Sequence, residues 1–396
     1  MDARSVYMNW AMSSYTGWGV YGLYMALHWC QDPDLGLYVS GAISRDNLAL
    51  DALRMQALEP VMRRSAAFQA KLAGISGQAA LVQGLALNAF DEGFVVGEMA
   101  HDVRLLGEPT VAVAFFETTR LAAEAIKRAA QYPVIVTGSS WTTDILRAHG
   151  LTQVRKVIQG ADPTLFNPAP RLGLFPDRFK VFSGGKLERR KGQDLVLAAF
   201  RRFAARRPDA LLVTAWHSPF NAYAKSLDSS GLAAPVPSHR PGELDIRAWA
   251  GASGVGPDHI IDLGMIPNAR MPALLREMDI ALFPNRAEGG TNMVAMEAMG
   301  CGTPCILSAN TGHLDLIEDD NCYPLVQQGE LAGAEGPFEG VSGWGECDVD
   351  EIVETLERAY LHRQEARERG LRGAVAQGER TWARTAASMK EIILSL

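Results

Sequence analysis

The sequence is short of the features that would assign it at a glance. Its 396 residues include only five cysteines, Cys30, Cys301, Cys305, Cys322 and Cys347. An odd number on so long a chain argues against a disulfide framework, and Cys301 and Cys305 do not form the CxxC pair of a zinc site. The expectation is a reduced, cytoplasmic chain that holds no metal and uses its thiols as small core residues. No apolar run reaches the roughly 18–20 residues needed to span a bilayer. The opening MDARSVYMNWAMSSYTG has no basic stretch followed by an apolar one, so no secretory signal is expected. A peripheral contact at the inner face of a membrane stays open. There is no basic surplus either: the net charge is −7, which argues against a nucleic-acid partner. The phosphate loop GxxxxGK[ST] is missing, and no internal repeat is present.

What the chain has is apolar bulk. Hydrophobic residues make up 47% of it, too much chain for one simple core, so two domains are expected. Short apolar runs alternate with amphipathic stretches. Strands are expected at 110–116, 132–138, 180–185, 210–216, 259–264, 279–284 and 303–308, and helices at 20–30, 121–131, 192–207, 271–278, 292–300 and 348–370. This alternation is the signature of an α/β fold with parallel sheets, and strands that are apolar throughout fit sheets covered on both faces. The proline-rich stretch ADPTLFNPAPRLGLFPDRF, 161–179, reads as a linker between two doubly wound domains, residues 1–168 and 169–378. Residues 228–245 and 331–348 read as inserted loops.

Three stretches carry candidate chemistry. In SGGKLERRKGQD, 183–194, a glycine pair ends a strand and Lys186 and Lys191 flank a turn before a helix. Glycines admit a ligand close to the backbone, and a helix N-terminus favours anions. Two lysines there suit one phosphate group, although the stretch alone reads equally well as a solvated surface turn. In NRAEGGTNMVAMEAMGCGTP, 285–304, a polar turn leads into a helix with Thr291 or Asn292 as its cap. Gly289 and Gly290 with the first helical amides make an anion cradle. Glu297 lies just over one turn inside a helix that is apolar nearly all round. A carboxylate in such a place needs partners, and vicinal sugar hydroxyls would supply them; the other reading is a solvated helix face. Lastly, SSYTGWGVYGLYMALHW, 13–29, brings Gly17 and Gly19 to the start of a helix, with no clean strand pattern before it and no GxGxxG spacing.

Together and in this order, these stretches resemble the retaining glycosyltransferases of the GT-B fold, specifically glycosyltransferase family 4, and the likeness is densest between 180 and 318. It implies two Rossmann-like domains facing across a cleft, the second binding a nucleotide-diphosphate sugar, UDP- or GDP-linked, and the first binding the acceptor. Residues 379–396 would be a helix crossing back to the first domain. No cofactor or metal is implied, and the acceptor is a carbohydrate, a lipid-linked molecule or a protein. The family's G-[RK]-L turn and following K-G correspond to Gly185-Lys186-Leu187 and Lys191-Gly192, which implies that Lys186 and Lys191 neutralise the donor diphosphate. Its two glutamates correspond to Glu288, at the transferred sugar, and Glu297, at the ribose. The turn amides from Gly289 through Gly290, Thr291 and Asn292 to Met293 would hold sugar and phosphates, and Gly17 and Gly19 would approach the donor. Eight residues, GGTNMVAM, separate the glutamates, one more than the family's usual spacing. The histidine that many members carry in the first domain is missing from GEPTVAVAFFETT, 107–119, where Phe116 and Glu117 stand in its region. Glu117 is a candidate for acceptor binding or base work, or else a strand-end carboxylate in a salt bridge. The implied reaction is a front-face displacement with the leaving phosphate as base. An inactive sugar-nucleotide binder and a sugar-nucleotide epimerase remain as alternatives.

Overall fold

The computed structural model describes residues 3–73, 75, 79–95, 104–331 and 336–396. The chain divides into two compact units. The first comprises Met1–Gly160, Pro267–Ala269 and Arg380–Leu396, and the second Ala161–Ile266 and Arg270–Glu379. The break falls before the proline-rich stretch 161–179, whereas the expected boundary, 168, lies inside it. Residues 161–174 are fastened to the second unit by two neighbouring side chains. Arg276 donates from Nη2 to the Leu165 carbonyl at 2.6 Å and from Nε to the Asn167 carbonyl at 2.8 Å. The Glu277 carboxylate accepts from the backbone N–H groups of Leu172 at 2.6 Å, Gly173 at 3.0 Å and Leu174 at 2.8 Å.

The first unit is built on strands β1 (Arg4–Met8), β2 (Leu35–Val39), β4 (Leu85–Phe90), β6 (Thr110–Ala114), β7 (Ile135–Thr137) and β8 (Val154–Lys156), in the order β2-β1-β4-β6-β7-β8. All are parallel. A short parallel pair, β3 (Ala79–Leu81) and β5 (Arg104–Leu106), stands apart. Helices α1 (Gly17–Trp29), α2 (Ala52–Leu72), α3 (Ala123–Ala129) and α4 (Ser140–Ala148) connect the strands. A strand, β1, does precede the glycine-bearing α1. Its five residues, RSVYM, alternate between buried and half-buried and carry too little apolar pattern to stand out in the sequence.

The second unit repeats the plan. Strands β9 (Phe179–Lys186), β10 (Ala210–His217), β11 (Ile260–Asp262), β12 (Ile280–Phe283), β13 (Cys305–Ser308) and β14 (Tyr323–Leu325) are parallel, in the order β11-β10-β9-β12-β13-β14. The antiparallel pair β15 (Gln328–Glu330) and β16 (Gly345–Cys347) flanks them. Helices α5 (Gln193–Arg206), α6 (Asn221–Lys225), α7 (Ile246–Ala252), α8 (Met271–Glu277), α9 (Met293–Gly300), α10 (Val349–Leu361) and α11 (Arg363–Gly378) complete the unit. Val181, Leu212, Ile280, Leu282 and Ile306 from the strands form one core with Phe200 and Phe203 of α5 and Ile352 and Leu356 of α10. The strand order reverses between β9 and β12. The connections leave their carboxyl ends in opposite directions there, which opens a crevice at that end of the sheet.

The single helix expected over 348–370 is two helices. His362, at φ −116 and ψ 54, breaks it. The apolar stripe of α10 lies against the sheet, while α11 offers small residues instead. A Cβ at Gly370 would stand 2.3 Å from the Gly302 carbonyl oxygen, so α11 must turn to dock on that chain.

The last helix, α12 (Trp382–Ser395), belongs to the first unit. Thr385 Oγ1 donates to the Ile158 carbonyl at 2.9 Å, the Trp29 indole donates to the Ala386 carbonyl at 3.2 Å, and Lys390 pairs with Asp32 at 2.8 Å. Its start lies against Gly160, where a Cβ would fall 2.1 Å from Trp382 N and 2.2 Å from Thr381 C. Backbone cannot yield as a flexible side chain can. Gly160→Ala is therefore expected to destabilise the first unit by about 1–3 kcal/mol, measured as a lower midpoint of chemical unfolding, with far-UV dichroism largely kept.

Candidate functional site

In the second unit the chain leaving β9 carries the basic stretch. Gly185, at φ 128, holds a backbone conformation that favours glycine, and nothing lies within 4 Å of where its Cβ would stand. Beyond Lys186 the chain makes a tight turn over Arg189–Lys191 and enters α5 through Gly192, which is left-handed at φ 70. A Cβ at Gly192 would meet the Pro284 carbonyl at 2.4 Å. The basic loop thus crosses directly over the chain that leaves β12.

That second chain is held to the first by Arg286, which is 0% exposed. Its guanidinium donates to both Asp194 oxygens at 2.9 and 2.7 Å, to Glu346 at 2.8 Å and to the Arg189 carbonyl at 2.8 Å. Its backbone N–H donates to the Arg190 carbonyl at 2.7 Å. Burial acts to raise the Asp194 carboxyl, but Arg286 outweighs it and holds the group below its ordinary range. Removing one partner would leave a buried charge alone, a loss of about 3–5 kcal/mol.

Two loops so fixed bring three cations and two buried carboxylates together. Lys191 Nζ lies 2.5 Å from Glu288 Oε1 and an Nη of Arg190 lies 2.8 Å from Glu288 Oε2. Arg190 also pairs with Glu188, and Asn285 donates to Glu288. Lys186 Nζ is 3.0 Å from Glu188 Oε2 and stands 4.8 Å above the Tyr223 ring. Burial alone would raise Glu288, yet Lys191 and Arg190 hold it at about 2. Burial would likewise raise Glu188, and Arg190, Lys186 and Lys191 bring it below its ordinary value. Burial pushes the Lys191 ammonium down, with Glu288 opposing.

The turn after Glu288 is pinned from its far side. The Glu288 N–H donates to Thr311 Oγ1 at 2.8 Å. A Cβ at Gly312 would stand 1.6 Å from the Gly290 carbonyl. Asn292 is left-handed at φ 63 and caps α9 by accepting from the Ala295 N–H at 3.4 Å. Its Nδ2 also lies 3.1 Å from His313 Nε2, and Thr291 Oγ1 lies 3.0 Å from Met296 Sδ. Asn292, of the two candidates, is thus the cap. Gly289 is buried, Gly290 and Met293 are half-buried, and Glu297 is buried one turn into α9.

Lys186, Lys191 and Glu288 therefore meet, and the sequence reading missed two residues that pair with them, Glu188 and Arg190, and a third, Arg286, that holds their two loops together. KLERRK shows the charges of Glu188 and Arg190 but not which of them turn inward, and no local pattern marks Arg286. Gly17, Gly19 and Glu117 belong to the first unit. Gly17 is exposed at the start of α1. A Cβ at Gly19 would meet Ser13 Cβ at 2.5 Å and Thr16 Oγ1 at 2.7 Å, so the loop after β1 folds closely under the helix. Glu117 is half-buried just past the end of β6. Residues 332–335 of the second inserted loop lie outside the described residues. Among the described residues, no group of three or more His, Cys, Asp or Glu side chains could hold a metal ion.

Residues 169–333 match the family described as glycosyl transferases group 1. Apart from Pro267–Ala269, the matched span lies within the second unit, which is similar to that family over these residues. The basic loop, the acidic turn and the chain that pins the turn all fall inside the matched span. A curated relative, D-inositol 3-phosphate glycosyltransferase 2 of Catenulispora acidiphila, is 27% identical over 195 residues, covering 46% of this chain and 42% of its own. The chain spans less than half the length of the curated relatives it matches. Among solved structures, Anabaena HepE in complex with UDP and glucose superposes with a TM-score of 0.63 at 13% identity, covering 99% of this chain and 100% of that one. The UDP-forming α,α-trehalose-phosphate synthase of Burkholderia vietnamiensis gives 0.62 at 12% identity, covering 100% of both. At such identities the likeness shows the fold, and that fold is GT-B: two Rossmann-like units.

His313 is the pH-sensitive part of the second unit. It is fully buried, with Nδ1 2.9 Å from Ser308 Oγ and 3.2 Å from the Ser308 carbonyl. Burial lowers it from 6.5 to about 4, with Glu288 opposing and Lys191 and Arg190 adding to the effect. Unfolding raises its proton affinity. Its contribution is therefore complete above pH 6.5 and lost as pH falls towards 4. The expected loss is on the order of 3 kcal/mol across that window. His313→Gln is expected to flatten the stability–pH curve between those values, measured by urea unfolding, whereas the Glu288 contribution disappears only between 4.5 and about 2.

Proposed function

We propose that this protein is a retaining glycosyltransferase of glycosyltransferase family 4. It transfers a sugar from a nucleoside-diphosphate sugar to an acceptor hydroxyl without a metal or other cofactor. The observation that carries this reading is the convergence of Lys186, Arg190 and Lys191 with Glu288 at the carboxyl end of the sheet, where strand order reverses. The curated relatives support the reaction class, and UDP in the HepE complex supports a UDP-linked donor over a GDP-linked one.

The chemistry asked of the site is charge management. As the bond between the anomeric carbon and the diphosphate oxygen breaks, negative charge grows on the leaving group. Lys186, Lys191 and Arg190, aided by the amides from Gly289 to Met293 at the start of α9, stabilise it where it forms. The acceptor oxygen bonds to the same face of the anomeric carbon and gives its proton to the leaving diphosphate. Glu288, released from the lysine by the incoming phosphates, takes a hydroxyl of the transferred sugar. Glu297 takes the ribose hydroxyls. Gly17 and Gly19 let the first unit's loop approach the donor, and Glu117 serves the acceptor. We place the protein in the cytoplasm, with a carbohydrate, lipid-linked or protein acceptor. No helix among the described residues is long and apolar enough to cross a membrane, and the reading includes at most a peripheral contact.

Lys186→Ala and Lys191→Ala are each expected to lower kcat by roughly 10²–10³ with the circular dichroism spectrum kept. Glu297→Ala is expected to weaken UDP binding in calorimetry. Wild-type turnover in both lysine variants would sink the diphosphate assignment, and unchanged UDP affinity would sink the ribose role. Slow release of UDP from UDP-sugar without acceptor separates a transferase from a silent binder.

A further inference from the structure

The second unit holds another cavity, of about 220 Å³, at the opposite end of its sheet. Phe179 opens β9 on its wall, Asp279 stands just before β12 and Thr303 just before β13. The wall also carries four arginines, Arg171, Arg276, Arg363 and Arg367; among the described residues, Asp279 is its one carboxylate.

Structural bonds use only part of this donor capacity. Each guanidinium has five N–H groups. Arg171 lies 3.7 Å from Asp279, longer than a hydrogen bond. Arg363 donates from Nε to the Tyr360 carbonyl at 3.4 Å and lies over the Phe179 and Tyr360 rings, and its contact with Asp209, at 3.6 Å, is longer than a hydrogen bond. Arg367 donates to Gln364 at 3.0 Å. The bonds of Arg276 to Leu165 and Asn167 run through Nε and Nη2. Asp279 is shared with Lys180, whose backbone N–H donates to it at 2.9 Å and whose ammonium is 3.7 Å away. Apart from the Arg367–Gln364 bond, the helix gains little from these cations. Arg363 opens α11, where the helix dipole disfavours positive charge, and Arg367 follows four residues later, a spacing at which like charges repel. The acid of that turn, Glu365, is already bonded to Arg358 at 2.6 Å and Arg369 at 3.3 Å.

We propose that this cavity binds a phosphate group, brought either by inorganic phosphate or by the phosphomonoester of a small polyol. The planar arginine fork matches phosphate oxygens. At roughly 30 Å³ per water, the volume holds about seven waters. That is below the roughly 300–1,000 Å³ of pockets for drug-sized ligands, yet it leaves room for a short polyol beside the phosphate. Asp279 is placed to accept from a polyol hydroxyl while the arginines take the anion.

The test is calorimetric and thermal titration of the full chain with inorganic phosphate and with glycerol 3-phosphate, at fixed ionic strength and with saturating UDP present. Saturable binding is expected, with a rise in Tm of about 5 °C near saturation. The double variant Arg171→Ala/Arg367→Ala, at two exposed positions, is expected to weaken it at least tenfold and to leave UDP affinity unchanged. Tighter binding of glycerol 3-phosphate supports a phosphomonoester, and equal binding supports free phosphate. No saturable binding, or undiminished binding in the double variant, overturns the proposal. Failure of UDP to bind counts against the donor reading alone, because wild type and double variant are then compared without UDP.

Discussion

Arg286 sets the position of everything at the candidate site. Its side chain is fully desolvated, and so is that of Asp194. A buried ion pair of this kind is weak support for stability, since removing both charges from water costs about as much as their attraction returns. What it supplies is register. The guanidinium ties the first turn of α5 to the chain after β12 through Asp194, and the Arg286 backbone N–H reaches the Arg190 carbonyl. Two loops from strands adjacent in the sheet but distant in sequence are thereby held in one relative position. An apolar pair of equal volume could fill the space, but it would leave the Arg189 carbonyl without the guanidinium's bond and would loosen the hold between the loops.

On that register rests the electrostatic state of the site. Lys186 is paired with Glu188, Lys191 with Glu288, and Arg190 with both acids. The cations are thus kept charged in a buried place by carboxylates that also occupy them. Lys191 shows the balance most clearly: burial acts to neutralise it and Glu288 acts to keep its proton. A phosphate entering such a site exchanges one anionic partner for another, and its affinity is the difference between two interactions, not the whole of one.

Much of the fold was legible because parallel sheets covered on both faces leave continuous apolar runs. β9, β10, β12 and β13 could be placed to within a few residues. β1 could not, being five residues of alternating burial, and neither could the break at His362, which answers to the docking of Gly370 on Gly302. Lys186 and Lys191 were readable through glycines and a helix start, and Glu288 joined them through the family resemblance. Arg190 and Glu188 were not, because a charged loop in a sequence does not show which charges turn inward. Arg286 is the extreme case: a residue type almost always at the surface is here among the most buried side chains in the unit. Only partners far along the chain, Asp194 and Glu346, make that tolerable.

The longer acidic turn now has a physical description. Between Glu288 and the first turn of α9 the chain passes through a left-handed Asn292, a conformation a β-branched residue would resist. The Asn292 side chain supports that conformation by accepting from the Ala295 N–H. The turn is also held from outside by the segment after β13: Thr311 receives the Glu288 N–H, Gly312 lies against the Gly290 carbonyl, and His313 stands between Asn292 and Ser308. Gly312 has no room for a side chain, so the two segments cannot separate by a small amount and keep this packing. The shape of the cradle beside Glu288 is consequently set as much by residues 308–313 as by the glutamate turn, and a change in that outer segment would be felt at the carboxylate before it was felt in the helix.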